Sequence, residues 1–233
     1  GPASANIVYA PWCLDSSCST FDAPVHNVTQ DTYFLTIQAA LDDSETVDGD
    51  TITVKAGTYN GVVEISKSIT LLGPNVGVSG TGTRTAEAII GGSTDWVQLY
   101  VEADDVTIDG FTFDGATLVP YPGYYSAGIY SEGNDLTFQN NILVNHSEIA
   151  FLSSGGYPGY ISGVSVKNNL ITNVLNNDGY NFGIYMQSTV GEVIGNTVTN
   201  TRSAIQVQPY SAVGAGLVKG NTFEAYRRPV WFN

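Results

Sequence analysis

Basic side chains are scarce in this chain: eight Lys and Arg stand against 22 Asp and Glu, for a formal net charge of −14. Apart from Arg227-Arg228 the cations are scattered. Binding a polyanion needs a basic patch that displaces its counterions, so nucleic acid and anionic membrane surfaces are excluded as partners. An acidic surface serves solubility, calcium holding or salt adaptation, and charge alone does not choose among them. Cysteine and histidine are rarer still, at two each. Cys13 and Cys18 lie in a loop-like segment, Pro11-Trp-Cys-Leu-Asp-Ser-Ser-Cys18, and read as a local disulfide that suits an extracytoplasmic setting. The other reading, half of a metal site, lacks further cysteines or a histidine cluster. No apolar run marks a signal peptide or a membrane insertion segment.

Helical periodicity is also nearly missing. It is clear only in Thr36-Ile-Gln-Ala-Ala-Leu-Asp-Asp43, where Thr36 is placed to cap and Ile37, Ala40 and Leu41 share a face. What fills the chain instead is a repeated phrase: Phe138-Gln-Asn-Asn141, Val166-Lys-Asn-Asn169, Val193-Ile-Gly-Asn196 and Val218-Lys-Gly-Asn221, at spacings of 28, 27 and 25 residues. Apolar residues alternate on both sides of the Gly/Asn pair. Alternation makes strands, and the pair makes a corner because Asn and Gly accept a left-handed backbone cheaply. A period of this size means one supersecondary unit stacked on copies of itself. The expected fold is all-β, a right-handed parallel β-helix (solenoid) carrying an asparagine ladder. Its short N-terminal capping helix, within residues 33–43, would cover the open end. The phrase recurs without Asn in Val106-Thr-Ile-Asp-Gly110-Phe-Thr-Phe113, so the circuits begin before the ladder does. No linker divides residues 1–233, which read as a single domain and a module of a larger protein.

Candidate chemistry falls into two groups. Acidic residues form the first: Asp104, Asp105, Asp109, Asp114, Glu132 and Asp135. Strand alternation against inward Val106 and Ile108 points Asp105 and Asp109 to solvent. Asp104 and Asp105 are the candidate calcium ligands, while Glu132, Asp135 and Asp178 are the candidate catalytic carboxylates. A general acid or base needs a tuned partner, and only His146, Arg202 and Lys167 offer one.

The second group exceeds what a core requires. Strands beginning with a small residue recur as Gly128-Ile-Tyr130-Ser-Glu132, Ala150-Phe-Leu152-Ser-Ser154, Gly183-Ile-Tyr185-Met-Gln187, Ala204-Ile-Gln206-Val-Gln208 and Pro229-Val-Trp231-Phe-Asn233. Ile129, Phe151, Ile184, Ile205 and Val230 should face inward, leaving Tyr130, Leu152, Tyr185, Gln206 and Trp231 outward. The feeding loops carry Tyr124, Tyr125, Tyr157, Tyr160 and Tyr180. Stacked circuits would align these rings, with Gln187, Gln206 and Gln208, along a groove that suits pyranose faces and hydroxyls. The bland alternative is that the rings protect strand edges. Trp96 belongs to the same surface or seals the strand beginning at Val97.

The stretches Thr36-Ile-Gln-Ala-Ala-Leu41, Gly49-Asp-Thr-Ile-Thr-Val-Lys-Ala-Gly-Thr-Tyr59 and Ser68-Ile-Thr-Leu-Leu-Gly-Pro-Asn75 resemble the opening of right-handed parallel β-helix proteins of the pectate-lyase-like superfamily. Gly80-Thr-Gly-Thr-Arg-Thr-Ala-Glu-Ala-Ile-Ile90 is similar to β-helix modules of secreted bacterial surface proteins. The resemblance covers about residues 33–225 and concerns lid, corner and inward-strand phrases, so it speaks for fold rather than activity. Ala56-Gly-Thr-Tyr59 is similar to the first motif of pectin methylesterases, but their later aspartates, glutamines and arginine have no match. The acidic and basic motifs of pectate lyases, polygalacturonases and alginate epimerases are not matched either.

These readings combine into a secreted or cell-surface module, of bacterial type, that binds polysaccharide or another glycan through the Tyr/Gln groove without catalysis and without an obligatory cofactor. One alternative is a polysaccharide lyase or glycoside hydrolase, with calcium as its cofactor. A second is an architectural adhesin segment. The run Pro229-Val-Trp-Phe-Asn233 carries an expected end-to-end protein contact at the C-terminal coil. Asn27-Val-Thr29 and Asn145-His-Ser147 fit the N-glycosylation pattern, which arises often by chance.

Overall fold

The computed structural model describes residues 23–120, 125–155, 159–175, 181–208 and 216–232. The segment holding Cys13 and Cys18, and residues Tyr124, Tyr157, Asp178 and Tyr180, lie outside them. The described chain is all-β apart from one short helix.

Two sheets carry the fold, one of nine strands and one of 12. From Thr51–Val54 onward every pairing is parallel, each strand lying beside its counterpart from the neighbouring circuit. One circuit contributes a strand to the first sheet and two to the second, as in Thr137–Gln139, Ile142–His146 and Ile149–Ser154. The period-2 pattern therefore puts one inward residue of each strand in register with the next. Three apolar stacks result. Ile52, Leu71, Ile108, Phe138, Val166, Val193 and Val218 align in the first sheet. Ile90, Phe113, Leu143, Ile171 and Val198 form the second stack, and Leu99, Ile129, Phe151, Ile184 and Ile205 the third. All ten of those latter side chains are fully buried. Rings of Phe113, Phe138 and Phe151 interlock at centroid separations of 5.6 and 5.2 Å, a packing that favours tilted pairs.

The asparagine ladder is present. Asn169 Oδ1 accepts from the Asn141 amide at 2.8 Å, Asn196 Oδ1 from the Asn169 amide at 2.9 Å, and Asn221 Oδ1 from the Asn196 amide at 2.8 Å. Each Nδ2 donates to a carbonyl of the preceding circuit, as Asn169 does to Phe138 at 3.1 Å. The left-handed corner belongs to the residue before each ladder position: Gly110, Asn140, Asn168, Gly195 and Gly220 have φ of 86, 56, 54, 67 and 65°. The ladder starts where expected, with Asn141 Oδ1 accepting from Phe111 N at 2.9 Å.

The expected helix is shorter than residues 33–43. It spans Ile37–Asp42, and Tyr33 and Phe34 instead lie in strand Thr32–Phe34. The β-branched and aromatic run Thr32-Tyr-Phe34 pairs antiparallel with Val25–Asn27, which pairs antiparallel with Thr51–Val54. Thr36 Oγ1 caps the helix by accepting from Ala39 N at 3.1 Å, and Ile37, Ala40 and Leu41 are its buried face. Hairpin and helix together cover the N-terminal edge of the stack. At the opposite edge, Leu217 and Phe232 are exposed.

One excursion straps successive circuits together. Within residues 73–87, Gly80 N donates to Asn168 O at 2.9 Å, and Arg84 Nη1 donates to Asn140 O at 2.7 Å while its Nη2 reaches Phe111 O at 3.3 Å. A Cβ on Gly80 would lie 2.4 Å from Leu170 N, so glycine lets the strap seat. The same strap overturns the expectation that Asp109 faces solvent. Asp109 is buried, its carboxylate accepting from Gly77 N at 3.0 Å, Gln139 Nε2 at 2.8 Å and Asn140 Nδ2 at 3.0 Å.

Candidate functional site

The outward column begins on strands Val97–Val101 and Ala127–Ser131, whose branched residues Leu99 and Ile129 seat in the main core. Alternation turns Tyr100 and Tyr130 to the other face, in register with Leu152, Tyr185, Gln206 and Trp231. Register and inward facing therefore follow the sequence pattern, whereas exposure along the column is uneven.

At one end the rings lie open. Tyr100, Tyr130 and Trp96 are half-buried and mutually in contact: Tyr100 stacks on Tyr130 at 5.4 Å, and Trp96 meets Tyr130 edge-on at 5.4 Å. Exposed Glu132 binds both phenols, accepting from Tyr100 Oη at 2.6 Å and Tyr130 Oη at 2.7 Å on its two oxygens. Desolvation, then the Glu132 hydrogen bond and charge, push both phenol pKa values up, so they stay protonated donors. Four side chains thus form a locked shelf.

Further along the column the surface closes. Leu152 and Tyr185 are 8% and 7% exposed and pack with Ala127, Ile149 and Phe182 in a second apolar cluster outside the main core. Gln206 is 4% exposed and its Nε2 donates to Gln208 Oε1 at 3.3 Å, while Tyr185 Oη also donates to that oxygen. Ser154 Oγ donates to Gln187 Oε1 at 3.0 Å. At the last strand the Arg228 guanidinium lies 4.0 Å above the Trp231 ring. Tyr125 and Tyr160 are exposed. Alternation separates inside from outside, but it does not report what packs over the outside, so the burial of Leu152 and Tyr185 left no trace in the pattern.

The acidic candidates do not converge. Asp104 Oδ1 accepts from Asn134 N at 2.7 Å and from its Nδ2 at 3.1 Å. Asp105 and Asp135 are exposed in the left-handed region, at φ 56 and 55°. Among the described residues no group of three or more His, Cys, Asp or Glu gathers to hold a metal ion. Of the basic candidates, Lys167 pairs with Glu192 at 2.8 Å and His146 is buried. Gln98 Nε2 donates to Ile90 O and Asp114 O, so its Oε1 must accept from His146 Nε2–H at 2.9 Å. Burial lowers the His146 pKa to about 4 despite the opposing pull of Asp114, which keeps the ring neutral. Among the described residues, the hydrogen bonds of Glu132 are to two phenols, and neither His146 nor Lys167 is one of its partners.

Sequence reasoning missed a second amide stack. Asn145, Asn173 and Asn200 each stand four residues after a ladder asparagine, all left-handed at φ 62, 58 and 49°. Asn200 donates to Asn173, Asn173 to Asn145 at 3.4 Å, and Asn145 to Asp114 at 3.0 Å. The fixed offset was a readable signal. Of the two glycosylation patterns, Asn145 is exposed, whereas Asn27 is fully buried with Nδ2 donating to Thr46 and Asp50 at 2.9 Å each.

Two concavities, of ≈340 Å³ beside helix Ile37–Asp42 and ≈390 Å³ beside His146, include none of the shelf residues in their linings. The chain is 32% identical over 138 residues to the cell surface glycoprotein of Methanothermus fervidus, covering 59% of this chain and 19% of that protein. No protein family matches the chain, and no solved structure matches it. No helix among the described residues is long and apolar enough to cross a membrane.

Proposed function

We propose that the stacked circuits form a right-handed parallel β-helix module of a surface protein that binds polysaccharide through its outer aromatic column, with Trp96, Tyr100, Tyr130 and Glu132 as the contact face. The observation that carries this reading is the shelf itself: three rings in mutual contact, stiffened by one carboxylate, outside the main core and with Tyr130 resting on the edge of the second apolar cluster. An open face suits a polymer that extends past it better than a small molecule that must be enclosed. The likeness over 138 residues to a protein named as a cell surface glycoprotein supports surface placement. That relative is archaeal, and it lends nothing to a bacterial origin. Likeness to the pectate-lyase-like superfamily rests on lid, corner and strand phrases alone.

Native affinity electrophoresis through gels carrying neutral, cationic and acidic polysaccharides tests this function, run with calcium and with chelator. Retardation by one intact polymer, lost in the Tyr100→Ala/Tyr130→Ala variant, is the expected result. Fragmentation of the polymer would promote the lyase or hydrolase reading. Migration unaffected by every polymer would refute binding and leave a stiff architectural segment, a role that the sealed part of the column around Leu152 and Tyr185 already suits.

A further inference from the structure

The shelf also constrains the charge of its ligand, an inference that rests on the glycan-binding reading above. Both phenol protons are committed, Tyr100 to one Glu132 oxygen and Tyr130 to the other. Toward a ligand the two tyrosines and Glu132 therefore present phenol and carboxylate lone pairs and the negative faces of aromatic rings, all of which attract a donor or a cation, and the Trp96 indole N–H is the one neutral donor of the shelf. Exposed Glu102 adds negative charge beside Tyr100. No cation offsets it: the ion pairs among the described residues are His26–Asp31, Arg84–Glu87 and Lys167–Glu192, and none includes Glu132. A uronate would bring its carboxylate beside Glu132 and Glu102 with no cation of the shelf to meet it. A protonated amine would meet the Glu132 carboxylate and an aromatic face together.

We propose that the Trp96–Tyr100–Tyr130–Glu132 shelf selects amine-bearing, cationic polysaccharide over its acetylated and uronate counterparts. The probes are a glucosamine oligomer, its fully N-acetylated counterpart and a galacturonate oligomer. Each is titrated calorimetrically into the folded chain at mildly acidic pH, where the amine is protonated. The glucosamine oligomer should bind about tenfold more tightly than the acetylated one, the scale of one cation–carboxylate contact reinforced by a ring face. Glu132→Gln should erase that preference while Tyr130→Phe, which keeps the ring, retains most of it. Attraction to the acidic chain as a whole is controlled by Glu45→Gln, at an exposed carboxylate beyond the helix. If Glu45→Gln weakens binding as much as Glu132→Gln does, the preference is generic and the proposal is overturned. Equal affinity for amine and acetylated oligomers, or tighter binding of galacturonate, overturns it while the glycan reading stands. Binding of none of the three overturns the amine preference, and the glycan reading then falls only if every polymer in the electrophoresis panel also fails to retard the chain.

Discussion

Removing the Asn169 side chain isolates what the ladder contributes to stability. The residue is 1% exposed, and its amide makes three contacts: Nδ2 donates to Phe138 O at 3.1 Å and Asn196 Oδ1 at 2.9 Å, and Oδ1 accepts from Asn141 N at 2.8 Å. In Asn169→Ala the Asn196 oxygen keeps the Asn169 backbone amide at 2.9 Å, so it is not orphaned. Phe138 O loses its side-chain donor, and Asn141 N loses the only acceptor it has in the ladder. Each buried polar group left without a partner costs about 1–3 kcal/mol, giving an expected loss of about 2–6 kcal/mol for the two. Urea unfolding monitored by Tyr and Trp fluorescence measures it as a lower midpoint at unchanged slope. Asn168→Gly, at the left-handed corner beside it, is the control: glycine accepts φ of 54° without strain, and the change should stay within about 0.5 kcal/mol. A loss below about 1 kcal/mol in Asn169→Ala would refute the claim that the ladder is a stabilising network, and would mean that water enters the corner and replaces it.

The pH dependence of stability should have an acid limb set by His146. Its folded pKa of about 4 lies below the ordinary 6.5, so the unfolded chain takes up the proton first; stability is fully present above 6.5 and is lost as pH falls toward 4, by about 3 kcal/mol. Asp50 and Glu87 act in the same direction at lower pH. Burial raises each, but hydrogen bonds from Asn27 and Val47, and from Arg84, outweigh it and hold both below the usual range. With only two histidines in the chain, their ring proton signals report His146 directly, and a titration near 6.5 would contradict this account. For the outer column, Tyr185→Ala should cost about 3 kcal/mol, comparable with Ile184→Ala at about 2–5 kcal/mol, because Tyr185 is as sealed as a core residue. Tyr185→Ala within about 0.5 kcal/mol of wild type, by thermal unfolding, would show that the second cluster is loosely packed.

Fold was legible here because the repeat constrains every circuit alike. A one-residue slip in any strand would turn Ile129, Phe151 or Ile184 out of the core, so alternation alone sets register, and the pairs Ile129–Phe151–Ile184–Ile205 follow from it. Asp109 was misplaced because its burial depends on residues 73–78, more than 30 positions earlier and outside the repeat. Tyr185 and Leu152 were assigned to the correct face but not to the correct environment, since face is a property of the strand and exposure a property of what packs beyond it. Glu132 stood in the same phrase as Tyr130, yet its second partner, Tyr100, comes from the previous circuit, where the phrase lacks the small residue that marked the others.

That cross-circuit contact explains why the shelf forms where it does. Neighbouring strands run about 4.8 Å apart, so residues in register on adjacent circuits stack face to face whether they are apolar or aromatic. Tyr100 over Tyr130 at 5.4 Å is the outward equivalent of Leu99 beside Ile129. A stacked pair of phenols is free to splay unless something fixes both hydroxyls, and Glu132, two residues beyond Tyr130 on the same face, reaches both. The next circuits place Leu152 and then Tyr185 at this position, and there the column folds into its own apolar cluster. The proposed recognition face thus rests on one interruption of the repeat: two tyrosines in sequence along the column, with a carboxylate beside them, on strands whose rigidity is supplied by the core beneath. A site held this way loses little side-chain freedom on binding, which favours affinity from a small contact area.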